Sequence, residues 1–140
     1  MRILSLTVQL NMPTDAEIEQ KFDKLMLAPE KWEQWLVRSG LAGRSLDNDH
    51  FTSSCAKTIL DIQEICPPVR NPGVTCFEED KMLRILKGIA SNASLPPIQV
   101  DCPPQAPLRY RVRDGFHRYY ATVLLGFRRI PADVLDYPGF

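Results

Sequence analysis

The sequence predicts an α/β fold. Stretches of strict two-residue alternation and stretches of helical periodicity succeed one another along the chain. A length of 140 residues suits a single domain. Hydrophobic content of 44% and charged content of 24% are those of an ordinary globular protein, which excludes wholesale disorder, a collagen-like repeat and a coiled coil. The 17 lysines and arginines balance 17 acids, so no overall basic excess drives nucleic-acid coating by counterion release. A local basic patch stays open.

Residues 3–10 set Leu4, Leu6, Val8 and Leu10 on one face against Ser5, Thr7 and Gln9, which predicts a strand. Thr14 to Glu17 reads as a capping box, and the helix after it carries Ile18, Phe22, Leu25 and Met26 as one stripe. Pro29 suits the first turn of a second helix, 30–38, which holds Trp32, Trp35 and Leu36 and stops at Gly40. Residues 43–54 are polar and predict a loop, with a short helix across 53–57 as an option. Eight of the twelve prolines then fall between Pro67 and Pro107, which marks a change in character. Residues 58–65 read as one strand ending at Cys66-Pro67-Pro68, and 69–74 as a turn-rich loop. Residues 77–91 predict a helix. Its start holds Glu78, Glu79 and Asp80, where the dipole favours acids, and its buried stripe is Met82, Leu83, Leu86 and Ile89. A short strand at 97–101 turns Ile98 and Val100 inward, and 102–107 is a proline-rich link. In the strand at 108–113, Leu108, Tyr110 and Val112 alternate with Arg109, Arg111 and Arg113. Asp114-Gly115 leads into a helix at 117–125 that Gly126 ends, and 129–137 is the last strand.

Cys55, Cys66, Cys76 and Cys102 show no C-x-x-C interval, and neither His50 nor His117 sits at ligand spacing from them. No metal site is expected from them, and four reduced thiols, partly in the core, are. The first ten residues are too short for a signal h-region. No apolar run reaches the ~18–20 residues of a membrane span, so a cytoplasmic protein is expected.

The chemistry is concentrated in residues 112–121: a strand, a glycine turn, and a helix whose first turn carries His117 and Arg118. A helix start exposes unpaired N–H groups and roughly half a positive charge. Gly115 lets an anion approach the backbone, and arginine grips phosphate with two N–H groups. The alternative makes Asp114 a helix cap, Gly115 a simple turn, and His117 and Arg118 solvated side chains. Between 109 and 129 six arginines meet one acid, Asp114, a local charge of +5. That patch suits nucleotide or single-stranded nucleic acid, with Tyr110, Tyr119 and Tyr120 as stacking partners, or it is a solvated sheet face. Glu78, Glu79 and Asp80 read either as the source of a Mg²⁺ ligand or a base, or as acids complementing the helix dipole. Trp32 and Trp35 read either as core or as an interface anchor.

Residues 58–136 resemble the ParB/sulfiredoxin superfamily, often described as ParB-like nuclease domains. Three blocks carry the resemblance. The first runs from Ile62-Gln63-Glu64-Ile65 through Pro68-Val69-Arg70-Asn71-Pro72. The second is the helix of 77–90 followed by Leu95-Pro96-Pro97-Ile98-Gln99-Val100. The third is Tyr110 to Arg118 with Ala121, Leu125-Gly126 and Ile130-Pro131-Ala132-Asp133-Val134, similar to a "DG-x-HR…A…LG…IPA-x-V" block. The resemblance implies a small mixed sheet with flanking helices. It also implies nucleotide-phosphate binding at Asp114, Gly115, Phe116, His117 and Arg118 together with Arg70 and Asn71, whose loop otherwise reads as a proline-rich turn with an exposed arginine. Members use ATP with a turn cysteine, bind and hydrolyse CTP, act as ADP- or ATP-dependent kinases, or are described as nucleases. Here Phe116 stands where sulfiredoxins carry that cysteine and ParB proteins an acid. Sulfinic-acid reduction is therefore not expected, and transfer of CTP hydrolysis is weakened. The helix-turn-helix and dimerisation regions of partitioning proteins find no counterpart, so partitioning by this chain alone is not expected.

The expected molecule is thus one domain, a core of 58–140 preceded by an N-terminal strand and two helices (1–57). Three functions stay open. One is a nucleotide-phosphate-binding protein, a phosphotransferase or nucleotidase using ATP, ADP or CTP with Mg²⁺. The second is a nucleic-acid-binding or nuclease module using Arg109, Arg111 and Arg113. The third is a non-enzymatic protein whose N-terminal segment binds a protein partner or a second copy.

Overall fold

A computed structural model of the chain describes residues 27–68, 77–104 and 109–136. The strand expected at 3–10, the helix after Thr14, the loop at 69–74 with Arg70 and Asn71, Cys76, and part of the 102–107 link lie outside the described residues. Helix α1 (Pro29–Ser39) opens on its proline, whose missing N–H has no partner to lose in a first turn, and closes at Gly40. Helix α2 (Glu79–Ala90) buries Met82, Leu83, Leu86 and Ile89, the stripe read from the sequence. Helix α3 (Phe116–Leu125) runs between Gly115 and Gly126. The option of a short helix across 53–57 is not realised; that stretch is bends and irregular backbone.

Five strands form one sheet in the order β1-β5-β3-β4-β2. These are β1 (Thr58–Asp61), β2 (Ile65–Cys66), β3 (Ile98–Asp101), β4 (Tyr110–Asp114) and β5 (Arg129–Val134). β1 is antiparallel to β5, β5 parallel to β3, β3 antiparallel to β4, and β4 parallel to β2. The α/β class is borne out, with a mixed sheet and flanking helices. Ile98, Val100, Val112, Ile130 and Ala132 belong to the same core as Leu83, Leu86, Tyr119, Ala121 and Leu125 of the helices.

The single strand expected at 58–65 is instead two strands separated by a 3₁₀ turn, Ile62–Glu64. Asp61 is the reason. Its carboxylate accepts from Gln63 N–H at 2.8 Å, and its own N–H donates to Glu64 Oε1 at 3.3 Å. This capping box bends the chain, and Ile62 N–H then bonds Arg128 O at 2.9 Å. The two halves pair at opposite ends of the sheet. On a flat sheet four strand spacings would hold those edges ~19 Å apart. Three 3₁₀ residues rise only ~6 Å. The sheet therefore curls until one stretch of chain reaches both edges.

α1 packs on α2. Trp32 and Trp35 are 1% and 2% exposed, so they are core and not an interface anchor. Trp35 donates its Nε1–H to Glu79 Oε1 at 2.9 Å, and Arg38 Nη1 donates to the same oxygen at 3.1 Å. Edge-to-face ring contacts run from Trp32 to Trp35, from Trp35 to Phe77, and from Phe77 to both His117 and Tyr120.

Candidate anion-binding cleft

A cleft of about 830 Å³ lies along the first two turns of α2 and reaches the start of α3. α2 and the residues before it contribute Phe77, Glu78, Lys81, Arg84 and Ile85. Leu95 and Pro96, ahead of β3, form an apolar wall, and Asp114 to Arg118 close the far end. Three cations, Lys81, Arg84 and Arg118, face two carboxylates, Glu78 and Asp114, leaving the lining net positive.

Gly115 is the N-cap of α3, with φ 96°, and α3 has no side-chain cap. Asp114 therefore does not cap it. A Cβ on Gly115 would lie 2.8 Å from Ile98 Cγ2 and 2.9 Å from Arg118 Nη2, so only glycine fits. The Arg118 guanidinium thus folds back over the helix start. Its Nη2 donates to Pro97 O at 3.3 Å, while its Nε is buried and has no protein partner. Burial pushes the guanidinium below its usual pKa, and the nearby Asp114 carboxylate opposes this. α2 also lacks a side-chain cap, at Glu78. Two uncapped helix starts therefore border one cleft whose lining includes Arg118, the residue with the buried, unpaired Nε. Such an arrangement can hold an anion between N–H groups and cations.

His117 stands between the two helices. Its Nε2 lies 3.0 Å from Glu78 N–H, and its ring meets the edge of Phe77 with centroids 6.1 Å apart. Phe116 is 37% exposed at the mouth. The structure brings Asp114, Gly115, Phe116, His117 and Arg118 together at the cleft, while Arg109, Arg111 and Arg113 are not among its lining residues.

Lys81 and Arg84 were not singled out as anion-site residues from the sequence. Their i, i+3 spacing in the opening turns of a helix is the signal that could have marked them. Of the acids, Glu79 is occupied by Trp35 and Arg38, and the Trp35 hydrogen bond is the main cause of its lowered pKa. Glu78 pairs with Lys81 at 3.5 Å. Among the described residues no three His, Cys, Asp or Glu side chains gather as a metal site.

The arginine ladder of β4 is not a simple charged face. Arg111 donates through Nε and Nη2 to Asp101 at 3.1 and 2.9 Å, and Arg113 Nη1 donates to the same carboxylate at 2.9 Å. A register shift between Gln99 and Val100 bulges β4 at Arg113 and lets both arginines reach one acid. The Asp101 side chain is 1% exposed, while those of Arg111 and Arg113 are 48% and 42% exposed. Burial alone would raise the Asp101 pKa, but the two arginines outweigh it and hold it below the ordinary range.

No protein-family model matches the chain, and no curated protein matches it. Among solved structures it is similar to the C-terminally truncated chromosome-partitioning protein ParB from Caulobacter crescentus, crystallised with the centromeric parS site. Identity is 26% and the TM-score 0.39, over 56% of this chain and 38% of that one. The chain thus spans well under half the length of that protein. No helix among the described residues is long and apolar enough to cross a membrane.

Proposed function

We propose that the cleft binds the phosphate groups of a nucleotide. The observation that carries this reading is the buried, unpaired Nε of Arg118, lying beside the uncapped start of α3. The N–H groups after Gly115 and the Arg118 fork would hold one phosphate, with Lys81 and Arg84 reaching the next. Ile85, Leu95 and Pro96 offer apolar surface to the rest of the ligand. Glu78 and Asp114 are the carboxylates that would meet a Mg²⁺ ion, which commonly takes one or two carboxylates together with substrate phosphates. Mg²⁺ would offset phosphate charge there.

ATP, ADP and CTP, each with Mg²⁺, are the ligands to screen by thermal shift. At ten times its Kd a nucleotide adds about 1.4 kcal/mol of stability. Arg118→Ala is expected to abolish the shift. A panel in which no nucleotide moves the melting temperature would rule the reading out.

One observation favours a second reading. Asp101 holds Arg111 and Arg113 side by side with their side chains about half exposed, an arrangement suited to phosphodiester contact. Retention on single-stranded DNA that falls with salt and with Arg111→Ala would support it; retention unchanged by that substitution counts against it.

A further inference from the structure

We propose that His117 is a positioning residue of the anion cleft, a neutral clasp between the two helix starts, and not a direct phosphate donor. This rests on the cleft being an anion site. Glu78 N–H can only donate, so at 3.0 Å His117 Nε2 must present its lone pair. The ring is then neutral, with its proton on Nδ1. An imidazolium carries N–H at both nitrogens and cannot keep this bond.

The clasp has a mechanical role. It ties the residue ahead of α2 to the first turn of α3. Phe77, the neighbour of Glu78, is gripped edge-on by Trp35, His117 and Tyr120, with centroids at 6.4, 6.1 and 5.3 Å. The start of α2 is fixed by these contacts, and with it the placing of Lys81 and Arg84 over the cleft. His117 acts on the anion through them.

The sign of the pH dependence separates the two roles. A histidine that donates to phosphate does so best when charged, so anion affinity rises on acidification. A clasp works only when neutral, so affinity falls. Charged groups lining the cleft with His117 are Glu78 just ahead of α2, Lys81 and Arg84 from α2, Asp114 from β4 and Arg118 from α3, and the Tyr120 ring packs on Phe77. Of these side-chain types only imidazole ordinarily changes charge between pH 5.5 and 8.

Sulfate is the probe, because its own charge is constant across that range. Its affinity is read from amide shifts of residues 115–118 by NMR. Between pH 8 and pH 5.5 sulfate binding is expected to weaken several-fold. Ring ¹⁵N shifts at pH 8 are expected to show Nε2 as the unprotonated nitrogen. His117→Gln keeps an acceptor at the Nε2 position, so it is expected to flatten the pH profile and to recover affinity lost in His117→Ala. Binding that strengthens on acidification, or an unchanged pH profile in His117→Gln, overturns the clasp and leaves the anion site standing. Absence of any sulfate shift at either pH removes the anion site and the proposal with it.

Discussion

Gly115 shows how one residue shapes the cleft. Its φ of 96° is costly for any side chain, and the space a Cβ would need is taken by Ile98 and Arg118. Ile98 is wholly buried, so shifting it disturbs the core. Gly43 has a similar φ of 73° but nothing within 4 Å of its Cβ position. Gly43→Ala should therefore cost only the backbone strain, about 1 kcal/mol. Gly115→Ala should cost about 2–3 kcal/mol, because displacement of packed neighbours is added. Urea unfolding of both variants checks the difference. At this scale the sequence was most legible where chemistry is local. Asp114-Gly115 before His117 and Arg118 announces a glycine turn at a helix start, and the structure has one. It could not show that Glu78, 39 residues away, would engage His117, because that pairing depends on how two helices are brought together.

Among the elements, α1, α2 and α3 are legible in the sequence and the stretch 58–65 is not. α1 and α2 each carry one clear apolar stripe, and stripes fix which face is buried. Residues 58–65 also look apolar and extended, but Asp61 and Glu64 three positions apart can equally close a capping box around a turn. The competing turn won. Asp61→Ala should remove it at a cost of about 1 kcal/mol, measured as a lower urea midpoint. The arginines of β4 show a related limit of local pattern. Alternation correctly set them opposite Val112, but it says nothing about a buried Asp101 on the neighbouring strand. Two of the six arginines behind the local charge of +5 are thus paired with one carboxylate from outside that segment.

For the whole molecule, the zero net charge hides carboxylates whose pKa values the fold has lowered. The bidentate Arg129 hydrogen bond holds Asp49 below its ordinary range. Asp101 is also held low, the pull of Arg111 and Arg113 exceeding the cost of burial. A lowered carboxylate stabilises the fold above its unfolded pKa and loses that contribution as pH falls through its folded value. Stability should therefore hold steady with respect to these groups near neutrality and decline below about pH 4. Urea midpoints between pH 7 and pH 3 test this, and Asp101→Asn should make the acid decline shallower.

The curled sheet also dictates an order of assembly. β1 is synthesised early, yet its partner is β5, with Thr58 opposite Ala132. β2 follows at once, yet it needs β4. The first pairing cannot form before β5 has been made, nor the second before β4, and such long-range pairing closes slowly. The stretch that shuts the sheet is thus among the first of the described strands to emerge in synthesis and among the last to be seated.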